Sequence, residues 1–168
     1  MKWLTQLTTW LASRARREKV RCVVLHATAG STLGGAVSTL RAKGFSYHYI
    51  IEDARNGRDG LVHKCVPVSR EAFHAGKSVG PLGSNVNRYS IGVCFVNLND
   101  GKDPYSDAQF ESARKLLLEL KAANPGLTWL TTHYWVSPGR KFDPRGFDVK
   151  ALAASVGLSL WDGGRPVL

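Results

Sequence analysis

The chain has 168 residues, the length of one ordinary domain that can bury a hydrophobic core. A hydrophobic fraction of 43% with 10% aromatic residues excludes a disordered chain. The 23 lysines and arginines exceed the 13 acidic residues, and the net charge of +10 predicts attraction to nucleic acid, anionic lipid or an acidic cell-wall polymer. Charge does not choose among these partners, and a merely basic soluble protein is the alternative. Since no nucleic-acid-binding motif is present, we do not expect nucleic acid.

Residues 1–19 carry apolar side chains at helical spacing, followed by a basic stretch. This pattern predicts an amphipathic basic helix ahead of a domain at residues 20–168. Either the helix docks on the domain, or it contacts a membrane or envelope surface. The apolar stretch is too interrupted for a signal peptide and too short for a membrane span, so we expect synthesis in the cytoplasm.

The rest of the chain alternates strand and helix patterns, which predicts one α/β domain with a central sheet flanked by helices. We predict strands at 20–25, 47–51, 61–66 and 90–96, the second and third forming a hairpin, and another strand leading to His133. We predict helices from 33 to a stop at Gly44, from a capping box at Ser106 to Asn124, and from Asp148 to Gly157. Residues 67–89 have no regular period and predict a functional loop. The three cysteines form no C-x-x-C pair, and Cys22 and Cys94 are expected to be buried.

The segment 132–144 combines an imidazole, an ammonium and a carboxylate in His133, Lys141 and Asp143. Two prolines and a glycine interrupt it, so we expect no regular helix or strand there. A nitrogen and a carboxylate oxygen brought to one point predict a divalent metal site, which needs a further ligand.

Two of the five histidines, His26 and His133, end apolar strands and precede loops. Such positions are where sheet proteins place reactive groups, although each histidine taken singly is more commonly structural or on the surface. With Asp143 they make a His/His/carboxylate set. Three protein ligands with an open fourth position describe a catalytic zinc site.

Five segments (24–28, 47–51, 72–78, 90–93 and 133–144) together resemble the zinc N-acetylmuramoyl-L-alanine amidases of the amidase-2 family. That family includes T7-type phage lysozymes, muropeptide-recycling amidases and peptidoglycan recognition proteins, and the resemblance covers residues 20–157. It implies a mixed-sheet α/β fold and Zn²⁺ held by three ligands, His26, His133 and Asp143. It also implies that Lys141 is catalytic and that Phe73 and His74 line the wall of a substrate groove.

Two positions compare differently with the subgroups of the family. The recycling amidases also have aspartate at the position of Asp143, whereas T7-type members have cysteine there. Cys94 stands where the recycling amidases have a glutamate base, so the resemblance assigns water activation to Tyr47. Because neighbouring strand residues point to opposite faces, His48 is expected to be structural. His63, in the hairpin, is expected to be exposed.

The implied function is hydrolysis of the amide bond between N-acetylmuramic acid and L-alanine of peptidoglycan. The basic charge favours anionic envelope polymers as further partners. Our leading hypothesis is a monomeric phage endolysin that acts on the cell wall after release from the host cytoplasm. The alternatives are a cytosolic muropeptide-recycling amidase and a peptidoglycan-binding module without activity.

Overall fold

A mixed sheet forms the centre of the protein in the computed structural model, which describes residues 3–4 and 11–168. Within these residues the main sheet has the strand order β1-β5-β4-β9-β3-β10-β11, and β2-β6 and β7-β8 form two small separate sheets. The strands are β1 Trp3–Leu4, β2 Ser13–Ala15, β3 Cys22–Ala27, β4 Tyr49–Ile51, β5 Val62–Lys64, β6 Arg70–Ala72, β7 Val79–Gly80, β8 Gly83–Ser84, β9 Ser90–Phe95, β10 Trp129–Thr132 and β11 Ser159–Leu160. Strands β4, β9, β3, β10 and β11 are parallel, and β5 pairs antiparallel with β4 as the predicted hairpin.

The helices of the described residues are α1 Leu33–Lys43, α2 Asp107–Ala123, α3 His133–Val136 and α4 Val149–Val156, with short 3-10 turns at Ala54–Asn56 and Val86–Tyr89. Three of these four helices, α1, α2 and α4, begin and end at the residues that the sequence predicted, and α3 was not predicted. Ser106 and Gln109 form the reciprocal capping box of α2, and the Asp148 side chain caps α4. Gly44 ends α1 in the left-handed conformation, with φ 69°, which favours glycine.

The alternation of side chains along β3 separates the core from the site. Val23 and Leu25 belong to the main core cluster, which also contains buried residues of α2 and α4. Val24 and His26 have the opposite parity, so they point to the other face of the sheet. Because β3, β9 and β10 are parallel, their carboxyl ends meet at one edge, which is where α/β sheets bind ligands.

The predicted N-terminal helix is not found where the structure describes this segment. Residues 3–4 and 13–15 are strands: β1 pairs with β5, and β2 pairs antiparallel with β6. Arg16 explains the docking of this segment, because its guanidinium donates to the carbonyls of Val68, Arg70, Arg88 and Ser90 at 2.7–3.2 Å. Residues 1–2 and 5–10, which include Leu7 and Trp10 of the predicted apolar stripe, lie outside the described residues.

Two other expectations were wrong. The segment 132–144 does contain a helical turn, α3, because the Thr132 hydroxyl accepts from Trp135 N and the first proline comes only after it. His63 is not exposed but fully buried, with Nε2 2.5 Å from Glu52 Oε1.

The aperiodic stretch 67–89 contains β6 and the small β7-β8 hairpin. Cys22, Cys65 and Cys94 are all buried and free. Within the described part of the chain, no helix has the length and apolar character needed to span a membrane.

Candidate metal centre and adjoining groove

His26, His133 and Asp143 meet at the carboxyl edge of the sheet. Leu25 of β3 is in register with Thr132 of β10, so the residues that follow, His26 and His133, lie side by side. The loop after α3 then folds back, because Tyr134 N donates to the Asp143 carbonyl at 3.0 Å. Ala27 N donates to Asp143 Oδ2 at 3.3 Å, which turns the carboxylate toward the histidines.

The three side chains converge through specific atoms. His26 Nδ1 lies 3.0 Å from His133 Nδ1 and 3.4 Å from Asp143 Oδ2, and His133 Nδ1 lies 3.2 Å from Asp143 Oδ1. One donor atom from each residue falls within 4.8 Å of the other two. The exposed fractions of His26, His133 and Asp143 are 0%, 5% and 8%, so the cluster is nearly closed to solvent.

The outer ring nitrogens make this cluster suitable for a metal ion. His26 Nε2 lies 2.9 Å from His74 Nδ1, and His133 Nε2 lies 3.3 Å from the Ala75 carbonyl. If each histidine donates its Nε2 proton outward, both Nδ1 lone pairs and the carboxylate face one point. A divalent cation at that point would satisfy all three, and two nitrogens with one oxygen are a donor set that zinc accepts.

Burial sets the protonation of the cluster. Burial and the neighbouring His133 lower the pKa of His26 to about 4, so its imidazole is neutral at pH 7, as a metal ligand must be. Burial alone would raise the pKa of Asp143, but hydrogen bonds to His133 and His26 outweigh it, and its pKa is lowered. The carboxylate is therefore ionised.

Tyr47 and Cys94 stand beside the cluster as neutral groups. The Tyr47 ring lies 4.8 Å from the His26 ring. Burial, the nearby Cys94 and the charge of Asp143 raise the pKa of Tyr47, and burial raises that of Cys94. Tyr47 can therefore hold a water by hydrogen bonding, but it is not an anionic base near neutral pH.

The cluster opens into a groove of about 530 Å³, within the range of ligand pockets. One wall is a face of α1 with the small residues Gly35 and Ala36 near its start and Lys43 at its end. The part-exposed Lys141 and Tyr47 line the groove together with His133 and Asp143. The structure thus brings together the five residues that the sequence singled out for metal binding and catalysis.

Phe73 and His74, predicted to contact substrate, line a smaller cavity of about 120 Å³ next to this groove. His74 is buried, and its ring nitrogens face His26 Nε2 and Ser90 Oγ. Phe73 is part-exposed, with the Arg14 guanidinium 5.8 Å above its ring. Substrate contact by these two residues stays a prediction.

Two residues that the sequence did not single out, Asn87 and Arg140, hold residues 74–77 in place behind the site. Asn87 Oδ1 accepts from the backbone N–H groups of His74 and Ala75 at 3.2 and 2.8 Å. The Arg140 guanidinium donates to the carbonyls of Ala75 and Lys77 at 2.8 and 2.9 Å. No signal in the sequence marks Asn87. For Arg140, the signal that could have identified it is its position next to Lys141. His48 is structural as expected, since its Nδ1 accepts from Gly92 N at 2.9 Å.

Comparison with known proteins places the chain in a family. Residues 16–146 match the Amidase_2 family, described as N-acetylmuramoyl-L-alanine amidase. The chain belongs to this family. Among curated amidase-2 relatives, the 1,6-anhydro-N-acetylmuramyl-L-alanine amidase AmpD of Enterobacter cloacae is 36% identical over 90 residues, 52% of this chain and 46% of that protein. The chain thus spans about half the length of the curated relatives it matches.

Solved structures confirm the predicted α/β fold with a central mixed sheet. AmpDh3 of Pseudomonas aeruginosa, solved in complex with an anhydromuramic pentapeptide, matches with a TM-score of 0.73 and 26% identity, covering 93% of this chain and 67% of that chain. The endolysin amidase LysCS of Clostridium intestinale matches with a TM-score of 0.75, covering 94% of this chain and 97% of that chain. At 19% identity the second likeness concerns the fold alone.

Proposed function

We propose that this amidase-2 chain is a zinc-dependent hydrolase of the amide bond between N-acetylmuramic acid and L-alanine. The observation that carries the proposal is the buried His26, His133 and Asp143 cluster, whose inner atoms converge at the base of an open groove. When bound, zinc supplies a Lewis acid for the scissile carbonyl and makes a water nucleophilic near neutral pH. The three residues hold the ion and leave the groove side open for substrate.

Lys141 and Tyr47 have separate roles in this proposal. The ammonium of Lys141, beside His133 and Asp143 on the groove wall, stabilises the negative charge that develops on the carbonyl oxygen. The neutral phenol of Tyr47 orients the attacking water by hydrogen bonding. The face of α1 supports the extended part of the substrate, since the small residues near its start let a glycopeptide lie close.

The substrate form that we propose is a soluble 1,6-anhydro-muropeptide. Support comes from the identity with the Enterobacter AmpD and from the likeness to AmpDh3, which was solved with an anhydromuramic pentapeptide. These comparisons favour the recycling interpretation over the endolysin hypothesis that led the sequence analysis. The endolysin interpretation keeps one supporting observation, the net charge of +10, which would concentrate the enzyme on an anionic wall.

Mass spectrometry of digests tests both the proposed amidase activity and the proposed form of the substrate. The protein is incubated with soluble anhydro-muropeptide and with intact sacculi, and with each substrate in the presence of chelator. We expect release of peptides with a new L-alanine amino terminus from the soluble substrate, abolished by chelator and restored by zinc. His26→Ala is the inactive control. Cleavage of sacculi at the higher rate would reverse the substrate assignment, and no cleavage of either substrate would refute the amidase proposal.

A further inference from the structure

We propose that His74 is a positioning residue that holds His26 in the tautomer whose Nδ1 lone pair is available to the metal. His26 Nε2 lies 2.9 Å from His74 Nδ1, and His74 Nε2 lies 3.1 Å from Ser90 Oγ. All three residues are buried, so these contacts replace hydrogen bonds to water. The inference rests on the proposed zinc site, and it assigns a role to a residue outside the three ligands.

Counting ring protons gives the direction of these hydrogen bonds. A neutral imidazole carries one N–H, and His26 Nδ1 faces His133 and Asp143. His26 Nδ1 can bind a metal only if the ring proton is on Nε2, which then needs an acceptor. His74 Nδ1 is that acceptor, so His74 carries its own proton on Nε2 and donates it to Ser90 Oγ. With the proton on His74 Nδ1 instead, His26 would have to carry its proton on Nδ1, where it blocks the ligand.

Ala75, the residue after His74, fixes the tautomer of the second histidine ligand, His133. The Ala75 carbonyl lies 3.3 Å from His133 Nε2, and a carbonyl oxygen can only accept. Residues 74 and 75 therefore direct both histidine ligands. Asn87 holds them in place by accepting from both backbone N–H groups. Ligand-supporting residues of this kind typically strengthen metal affinity by roughly 10- to 100-fold.

Two substitutions at His74 separate the hydrogen bond from the packing. His74→Asn places a side-chain oxygen near the position of Nδ1 and keeps an acceptor, whereas His74→Leu fills similar space without one. His63→Asn is the matched control, because His63 is equally buried but hydrogen-bonds Glu52 instead of the cluster. Zinc dissociation constants are measured on the full chain by competition with a chromophoric chelator. We expect a rise of roughly 10- to 100-fold for His74→Leu and values near wild type for His74→Asn and His63→Asn.

Equal affinity of His74→Leu and wild type would overturn the proposal. Equal losses in both His74 variants would also overturn it, since packing and not the acceptor would then be what matters.

The tautomer of His74 is measured separately in zinc-loaded wild-type protein by long-range ¹⁵N–¹H spectra of labelled histidine, because without metal His26 Nδ1 can keep a proton for Asp143 Oδ2, which lies 3.4 Å away. We expect the Nε2–H form, and the Nδ1–H form would refute the positioning role whatever the affinities. If wild type binds no zinc, the zinc proposal fails and the inference about His74 falls with it, whereas zinc binding with the Nδ1–H form of His74 overturns the inference alone.

Discussion

The substitution Gly92→Ala tests how tightly the His74 ring packs against the sheet. Gly92 lies in the central strand β9, and a Cβ at this position would stand 2.7 Å from His74 Cγ and 2.9 Å from His74 Cδ2. Carbon atoms pack at about 3.5–4.0 Å, so the ring or the strand must move by about 1 Å. Overpacking of this kind costs about 1–3 kcal/mol of unfolding free energy. The same movement should break the contact with His26 and weaken zinc binding.

Thermal unfolding in chelator, together with zinc affinity, measures both effects. For a chain of this length, a loss of about 1–3 kcal/mol lowers Tm by roughly 2–12 °C. Gly34→Ala is the matched control, because no atom lies within 4 Å of its added Cβ and the residue is in α1. Alanine there should stabilise the helix by up to about 1 kcal/mol and leave zinc affinity unchanged. If Gly92→Ala unfolds like wild type and binds zinc equally well, the ring is not pressed against β9 and the reasoning is refuted.

Three further predictions concern the groups around the cluster. Lys141→Ala should keep its zinc content but lose about 10²- to 10³-fold in kcat, and an unchanged kcat would remove Lys141 from catalysis. Tyr47→Phe should lower kcat by about 10²-fold without changing zinc content, and wild-type rates would reopen the search for the group that orients water. Burial lowers the pKa of His48 to about 3, below its unfolded value of about 6.5, so the unfolded chain binds more protons between these pH values. Stability of the metal-free protein should therefore fall as pH drops through this window, by up to about 1.4 kcal/mol per pH unit from His48. His48→Asn should flatten the slope of urea-unfolding free energy against pH by that amount, and an equal slope in the variant would contradict the assignment.

Local sequence signals predicted most of the fold because the structure uses them directly. The capping box at Ser106 begins α2, and Gly157 ends α4 in the left-handed conformation. The predicted N-terminal helix was wrong at residues 3–4 and 13–15 because no local signal identifies these strands. Helical spacing of apolar residues does not by itself tell a helix from a docked strand, and β2 is fixed by pairing with a distant strand. The four carbonyls that accept from Arg16 come from residues 68–90, which no local pattern connects to it.

The metal cluster could be predicted because strand ends are visible in the sequence. His26 and His133 each follow an apolar strand, and parallel strands bring their carboxyl ends to one edge. Asp143 could be predicted with them because a loop that folds back after His133 can bring its carboxylate to the same point, and the family resemblance then implied the same three ligands. The partners of the outer nitrogens could not be predicted in this way. The path of residues 74–75 behind the cluster depends on Asn87 and on the absence of a side chain at Gly92.

The protonation states at the site narrow the role that Tyr47 can have. Tyr47 is partly buried and Cys94 is fully buried, and burial raises the pKa of each, so neither is anionic near neutral pH. Among the groove-lining residues in the described part of the chain, Asp143 is the sole carboxylate, and it is engaged by both histidines. The site therefore offers a water molecule no separate carboxylate base. In the proposed zinc mechanism, activation would depend on the metal, with Tyr47 holding the water in place, so the loss of the phenol should weaken turnover without abolishing it.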